Sequence, residues 1–192
     1  DAAQKEVVGE TTVPSGHLTV TASVTLGRSA VAPLVGAFLQ HHPGVSVSLL
    51  LLDRIANLVE EGIDLAVRIG SLPDSALVAK RVGSVRRVLV AHPDYLAEHG
   101  RPNEPSDLRR HSIIAFTGLM PNREWRHVVG RRTRSIALTP RFEINDGPAA
   151  IAAAERGDGI AIALSYMVAA QIREGRLVTL LDDYTPPPLP VH

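Results

Sequence analysis

Residues 49–87 constrain the fold more than any other part of the chain. They read LLLLDRIANLVEEGIDLAVRIGSLPDSALVAKRVGSVRR, which predicts a strand, a short helix, a second strand and a turn-rich approach to a third strand. This succession is a βαβ unit, in which parallel strands end beside helix N-termini at a common crevice. Backbone N–H groups in such a crevice can meet a small polar ligand. The stretch therefore predicts a sensor of small molecules and gives no sign of a catalyst.

The composition limits the possible partners and compartments. Among 192 residues, 20 basic and 20 acidic side chains cancel, so the chain lacks the positive charge that binding nucleic acid by itself would need. No cysteine is present, which excludes disulfides and zinc thiolate sites and is compatible with a reducing cytosol. Apolar runs stay far below the roughly 18 residues that span a bilayer, and residues 1–10 do not form a signal peptide. We therefore expect a cytoplasmic protein without a membrane segment.

Hydrophobic periodicity predicts alternating strands and helices in the first half of the chain. Residues 18–22 alternate as in a half-buried strand, and the spacing from Val31 to Leu39 predicts a helix. Because Pro33 is tolerated only in a first turn, this helix should begin near Ser29 or Ala30, or bend there. Further elements are a strand over 45–52 covered on both faces, a helix over 55–61 capped by Asp53, a strand over 65–69, a long strand over 82–91 and a helix from Pro93 to about His99.

The second half repeats this alternation without repeating the sequence. Strands are predicted near 112–116, 125–129, 135–138, 142–145, 160–164 and 177–181, with helices over 148–156 and 166–174. Ser165 stands where it can cap the second of these helices.

Several separated motifs carry a family resemblance. They are Asp53, Leu58 and Val59, then 60–70, 72–75, 77–81 and 85–91, followed by Asn145, Asp146 and Gly147, by Leu164, Ser165 and Tyr166, and by the proline run 186–190. In this order they resemble the effector-binding domain of LysR-type transcriptional regulators, in the CrgA-like subgroup, over roughly nine tenths of the chain.

The resemblance implies an α/β fold of two Rossmann-like lobes with a ligand cleft between them, as in type 2 periplasmic binding proteins. Residues 1–15 would form a linker to a DNA-binding head outside this chain. Residues 16–90 and 186–192 would form lobe I, and residues 91–185 would form lobe II. In the family the proline run returns the chain to lobe I, where a strand and a final helix follow. The sequence stops at His192, so lobe I is expected to be truncated at its C-terminal end.

The resemblance also implies which segments line the cleft. The expected effector-binding residues are Ser23, Val24, Thr25, Asp53, Arg54, Ile69, Gly70, Asn145, Asp146, Gly147, Leu164 and Ser165. Each lies where a strand ends or a helix begins, so hydroxyls, amides and helix N-termini would converge and favour an anion or a polarised carbonyl. We expect a small carboxylate, lactone or aromatic acid. The competing interpretation is that the polar members merely cap helices.

Two arginines have two possible roles each. Arg68 stands in an apolar run, so it either pairs with a carboxylate such as Asp53 or Asp64 or reaches the cleft. Arg28 follows a helix start, where a cation opposes the helix dipole, and is either solvated or directed toward an anionic effector. Met167 stands where the family often has a polar residue, so a hydrophobic wall is plausible there.

Other conspicuous residues favour structural roles. His41 and His42 end a helix without any metal-ligand spacing, and no metal or cofactor is expected. The basic residues around Gly130 suit a solvated hairpin tip. Trp125, the only tryptophan, suits a strand anchor better than a ligand platform.

The leading functional interpretation is the sensing and oligomerising part of a transcription regulator, with a small-molecule effector and DNA bound only through an N-terminal winged helix-turn-helix. The family pairs such domains antiparallel as dimers or tetramers. The strand 45–52 with its neighbouring helix is the candidate dimer surface, and Val45, Val47, Leu49 and Leu51 are its predicted contacts. The alternative is a solute-binding protein of a transporter, which shares the fold. An enzyme ranks third, because no acid–base pair, nucleophile or metal set is recognisable.

Overall fold

A computed structural model of the chain describes residues 13–72 and 77–192. Its backbone divides into two compact units, Asp1–Arg68 and Ile69–His192. Most of the predicted linker 1–15, and most of the family motif 72–75, lie outside the described residues. The boundary between the units falls at Arg68, whereas the sequence places a lobe boundary after residue 90. The assignment of residues to two lobes stays a prediction.

The first unit is built on a three-stranded parallel sheet. Its strands are β1 (Gly16–Ala22), β2 (Val45–Leu51) and β3 (Leu65–Val67), in the order β2-β1-β3. In register, Val20 stands opposite Leu49 and Leu65, so one face of the sheet is apolar. The other face carries Ser46 and Ser48, which are exposed. The prediction that β2 is covered on both faces is therefore wrong for the described residues, because serine alternates with valine along its first half.

One continuous helical segment covers the apolar face. It consists of α1 (Val24–Leu26), a π-helical stretch (Gly27–Val31) and α2 (Ala32–His41). A Cβ atom on Gly27 would collide with the side chain of Leu51, so the helix lies directly on the sheet. Helical turns already begin at Val24, so the predicted start near Ser29 or Ala30 is wrong, whereas the predicted alternative, a bend at these residues, falls within the π-helical stretch. The wider π-helical turns stand just before Pro33, which lacks an N–H and would crowd the carbonyl of a regular preceding turn.

The helix predicted over 55–61 does not form. Residues 58–62 instead make hydrogen-bonded turns, closed by the N–H of Ile63 on the Leu58 carbonyl at 2.8 Å. Ile55 is 92% exposed and contributes no apolar face that could dock a helix. Asp53 does not cap these turns, because its side chain is bonded to another helix.

The second unit contains nine of the strands in the described part of the chain. They are β4 (Gly83–Val85), β5 (Arg87–Ala91), β6 (Ile113–Phe116), β7 (Glu124–Val129), β8 (Arg132–Ala137), β9 (Phe142–Ile144), β10 (Ile160–Leu164), β11 (Val178–Leu180) and β12 (Leu189–Val191). The α-helices are α3 (Pro93–His99), α4 (Gly147–Glu155) and α5 (Ala169–Arg173), with 3-10 turns at Pro105–Arg110, Ser165–Met167 and Asp182–Tyr184.

A five-stranded sheet of order β11-β5-β10-β6-β9 forms the centre of this unit. Strands β9, β6 and β10 are parallel, and β5 runs antiparallel to β10 and β11. Along β5, Leu89 and Ala91 enter one core cluster while Val88 and Val90 enter the cluster on the opposite face, beside α4. Burial on both faces explains the continuous apolar runs of β5 and β10.

Two smaller pairs accompany the central sheet. β7 and β8 form an antiparallel hairpin, and β4 pairs antiparallel with β12. The sequence predicts one strand over 82–91, but the structure divides it at Arg86 into β4 and β5, which belong to different sheets. Basic residues around Gly130 occupy the hairpin tip as predicted, and Trp125 is a strand residue only 4% exposed.

Candidate ligand-binding site

The first group of predicted effector-binding residues meets where β1 passes into α1. Ser23 is extended, with φ −62° and ψ 146°, and makes no side-chain capping bond. Oδ1 of Asp53 instead accepts from the N–H of Val24 at 2.9 Å, which brings the loop after β2 against the first turn of the helix. Ser23, Val24 and Thr25 are half-buried there. The corner is thus a polar site at the carboxyl ends of two parallel strands, where first-turn N–H groups lack partners within the helix.

Arg54, next to Asp53, is committed to a carboxylate of the same loop. Its two guanidinium nitrogens Nη1 and Nη2 donate to Glu61 at 2.7 and 2.6 Å. This bidentate bond lowers the pKa of Glu61 from its ordinary 4.5 to about 2 and raises the pKa of Arg54. Glu61 also accepts from the N–H of Asn57 at 3.0 Å. Arg54 therefore organises the turn that replaces the predicted helix.

Arg68 lies directly after β3 and bonds to neutral acceptors. Its Nη1 donates to the Leu52 carbonyl and its Nη2 donates to the Thr21 hydroxyl at 3.2 Å. Neither Asp53 nor Asp64 accepts a hydrogen bond from it in the described part of the chain, so the predicted carboxylate pairing is not observed. Burial lowers the pKa of Arg68, and the charge of Asp53 partly opposes this. Arg28 is exposed in the π-helical stretch.

The second group lies along one edge of the five-stranded sheet. Asn145, Asp146 and Gly147 follow β9, while Leu164 ends β10 and Ser165 follows it. Strand β6 lies between these two strands and is parallel to both. Oδ1 of Asp146 accepts from the N–H of Ala149 at 2.8 Å, so Asp146 is the N-cap of α4. Asn145 is exposed beside this helix start. Topology thus brings these segments to one edge, as the carboxyl-end rule predicts.

Ser165 does not cap a helix as predicted. Its hydroxyl accepts from the N–H of Arg86 at 3.1 Å, and its own N–H donates to the Arg86 carbonyl at 2.8 Å. These bonds extend the pairing of β5 with β10 by one residue. The predicted helix 166–174 is consequently replaced by the turn Ser165–Met167 and the shorter α5.

Two residues at this edge, Phe116 and Thr117, were missed by the sequence analysis. Phe116 ends β6, and the N–H of Thr117 donates to the Ile144 carbonyl at 2.9 Å. A Cβ on Gly147 would collide with the Met167 side chain and lie 3.3 Å from the Phe116 ring, so the ends of β6, β9 and β10 are in close contact. The carboxyl-end rule applied to the predicted strand 112–116 would have identified them.

Ile69 and Gly70, the remaining predicted effector-binding residues, both contact β12. Ile69 bridges to Val191, and the N–H of Gly70 donates to the Pro190 carbonyl at 2.9 Å. Gly70 has φ +114°, a conformation that favours glycine. Both residues thus stand against β12, the strand that follows the proline run.

The described ranges hold no candidate metal site or membrane span. Residues 13–72 and 77–192 contain no group of three or more His, Cys, Asp or Glu side chains placed to hold a metal ion. No helix among them is long and apolar enough to cross a membrane.

Sequence comparison relates the chain to transcription regulators. The family model described as LysR substrate binding domain matches residues 11–192. The regulator CrgA of Neisseria meningitidis is 30% identical over 184 residues, which cover 96% of this chain and 61% of CrgA. The transcriptional activator AaeR of Escherichia coli is 33% identical over 181 residues, or 93% of this chain and 58% of AaeR. The chain thus spans about three fifths of the length of the curated relatives it matches.

Solved structures agree with this relationship. The regulatory domain of CrgA from Neisseria meningitidis has a TM-score of 0.79 at 29% identity, covering 93% of this chain and 87% of that domain. The regulatory domain of AphB from Vibrio vulnificus has a TM-score of 0.82 at 26% identity, covering 92% of this chain and 89% of that domain. These domains confirm the predicted two-lobed α/β fold class of type 2 periplasmic binding proteins.

The same comparisons discriminate between the functional alternatives. The relatives are transcription regulators, which does not favour a transporter's solute-binding protein or an enzyme. The match extends over nearly the whole chain, from residue 11 to residue 192. The chain belongs to the LysR substrate-binding domain family, the effector-binding domains of LysR-type transcriptional regulators.

Proposed function

We propose that this chain senses a small organic effector and transmits its binding to a DNA-binding head that lies outside the chain. The ligand would be a small carboxylate, lactone or aromatic acid, held between lobe I and lobe II. The supporting observation is the bond from the Val24 N–H to Asp53, which makes the β1–α1 corner one polar site with Ser23 and Thr25. The edge with Asn145 and Ser165 would supply the other half.

The mechanism requires no chemical step. A ligand that contacts both halves binds one arrangement of the lobes more tightly than another and so shifts their populations. The ligand can shift these populations only by as much as its affinities for the two arrangements differ. In a dimer, this change in geometry would alter the spacing of two winged helix-turn-helix heads on an operator.

The dimer itself is part of the proposal. Two copies would associate antiparallel, with β2 and α2 of one copy forming its half of the interface. Val45, Val47, Leu49 and Leu51 of β2 are half-buried, while Leu34 and Phe38 of α2 are 68% and 40% exposed. A regulator of this kind acts on the chromosome, so we place it in the cytoplasm of a bacterial cell.

Effector binding can be tested on the 192-residue chain by thermal shift and calorimetry with a panel of small carboxylates. The double variant Thr25→Ala, Ser165→Ala should weaken the binding of any hit by at least about tenfold, because two hydroxyl contacts are lost. The matched control Thr133→Ala, Ser135→Ala removes two exposed hydroxyls of β8 and should bind like the wild type. Unchanged affinity in the first variant would refute the site assignment.

The regulator assignment has a separate test. Intact-mass and peptide mapping of the protein from its native cell identifies what precedes Asp1. A segment with a helix-turn-helix and a basic recognition helix would support the proposal. A cleaved secretory signal with nothing more would contradict it.

A further inference from the structure

A pocket lies in the Ile69–His192 unit, beside the pairing of Arg87 with Leu164. It has a volume of about 240 Å³ and is lined by Arg87, Gly118, Leu119, Trp125, Arg126 and Ile162, with Glu124 at the same site. It lies where the start of β5 meets β7 and the turn that follows β6. None of the twelve predicted effector-binding residues lines it.

Arg87 gives the pocket a cation without a hydrogen-bond partner among the described residues. The residue is half-buried at the start of β5, opposite Leu164. Among the residues that the structure describes, no carboxylate or carbonyl accepts a hydrogen bond from its guanidinium. Burial lowers its pKa, and the neighbouring positive charge of Arg126 lowers it further. A guanidinium nevertheless remains charged in proteins and offers five donors. Two close cations, one of them half-buried, favour an anion between them.

Apart from the exposed Asn122 and Glu124, the rest of the lining is apolar. Leu119 and Ile162 line one side together with Trp125, which is 4% exposed and belongs to the core cluster. The turn that carries Leu119 is fixed by the bond from its N–H to the Phe116 carbonyl at 3.0 Å. The next residue, Met120, is 1% exposed and anchors the turn in the core. A preformed apolar wall beside an unpaired cation suits an amphipathic anion better than a fully hydrated one.

We propose that this pocket binds a small organic monocarboxylate, with Arg87 as the principal partner of the carboxylate and Leu119 and Trp125 in contact with its apolar body. Arg126 adds positive charge, and Glu124 opposes binding. A volume of about 240 Å³ lies below the ~300–1,000 Å³ of pockets for drug-sized ligands, so the ligand is of one-ring size. This pocket shares no lining residue with the proposed effector site.

Trp125 makes the site directly observable, because it is the only tryptophan of the chain. Benzoate is titrated into the 192-residue chain while tryptophan emission is followed with excitation beyond the absorption of benzoate. Benzamide serves as the uncharged analogue of the same shape, and inorganic phosphate as an anion without an apolar body. We expect a saturable change with benzoate and at least about tenfold weaker responses to the other two probes. No saturable change with benzoate, or an equal response to benzamide, would overturn the proposal.

Variants then locate the charge partner. Arg87→Gln should weaken benzoate binding at least about tenfold, and Glu124→Gln should strengthen it about two- to fivefold. Arg131→Gln, which removes an exposed arginine of the same hairpin, should stay within about twofold of the wild type. If Arg87→Gln does not fold, the exposed Arg126→Gln takes its place with an expected loss of about threefold. Wild-type affinity in the folded arginine variant, or weaker binding in Glu124→Gln, would refute the assignment.

Discussion

At the scale of single residues, Gly159 is the backbone position that least tolerates a side chain. It has φ +154°, and a Cβ would collide with the backbone carbonyl of Ser112, which cannot rotate away. Gly159→Ala should therefore destabilise the chain by about 3 kcal/mol or more, of which the positive φ accounts for ~1–2. Urea unfolding followed by Trp125 emission measures this.

The control is Gly130→Ala at the hairpin tip, where φ is +62° and nothing lies within 4 Å of an added Cβ. Only the cost of placing alanine at a positive φ applies at this position, so we expect the free energy of unfolding to fall by about 1 kcal/mol. Equal losses in the two variants would show that the contact with Ser112 has no energetic effect.

Asp53 joins two segments through a single hydrogen bond. Because its carboxylate accepts from the Val24 N–H at 2.9 Å, Asp53→Ala should expose the first turn of α1 and cost about 0.5–2 kcal/mol locally. Amide hydrogen exchange at Val24 measures this directly. Asp53→Asn retains an acceptor and should fall between the alanine variant and the wild type. Unchanged protection in the alanine variant would contradict the cap.

Single residues also show why the candidate site was only partly predictable. Ser165 could be identified because it follows the apolar run 160–164, which forms a buried strand. Asn145 follows the short, largely exposed β9, so the family motif and the helix start after it were the signals. The role of Ser165 was predicted wrongly, because its partner Arg86 is distant in sequence. The pocket at Arg87 could not be predicted, since it depends on the β7–β8 hairpin packing beside β5.

At the scale of elements, prediction succeeded where the fold buries both faces of a strand. β10 spans Ile160–Leu164 as predicted, since all five of its residues are buried. The prediction of a helix over 55–61 failed, and residues 58–62 form turns. The Arg54 guanidinium and the Asn57 N–H both donate to the Glu61 carboxylate, and these local bonds stabilise turns instead.

The Arg54–Glu61 pair gives this turn an acid-sensitive stability. The pKa of Glu61 is held at about 2, below its ordinary 4.5, so the unfolded turn binds protons more readily than the folded turn. The stabilisation is complete above pH 4.5 and is lost as the pH falls toward about 2. Carboxyl NMR shifts should therefore give a depressed midpoint for Glu61.

Removing the Arg54 guanidinium should reverse the shift in the pKa of Glu61. In Arg54→Gln the midpoint of Glu61 should return toward 4.5, because the bond to Arg54 is its largest cause. Arg28→Gln, an exposed arginine of the same unit, serves as the control and should leave the midpoint unchanged. A midpoint near 4.5 in the wild type would contradict the pairing.

At the scale of the whole molecule, the alternation of strands and helices together with the ordered motifs was enough to predict the fold class. The alternation requires parallel strands joined by crossovers, which few architectures satisfy. Association of two copies depends on which apolar side chains are exposed, and hydrophobic periodicity does not give this. The sequence alone therefore predicted only the region of the contact, the strand 45–52 and its neighbouring helix. No residue of α2 is buried, which supports α2 as part of the proposed contact surface.

Association of two copies should therefore depend on the exposed apolar residues of α2. Leu34 and Phe38 are 68% and 40% exposed, and covering such side chains contributes about 1.5–3 kcal/mol each. In a two-fold dimer each substitution acts twice, so Leu34→Glu or Phe38→Glu should raise the dimer Kd by at least about 100-fold. Gln40→Glu adds the same charge to the same helix at another exposed position and should remain dimeric. Light scattering across a concentration series distinguishes a single chain of 20.6 kDa from twice that mass. A wild-type chain that stays monomeric at high concentration would show that α2 is not the contact surface, and transmission of the effector signal would then need another interface.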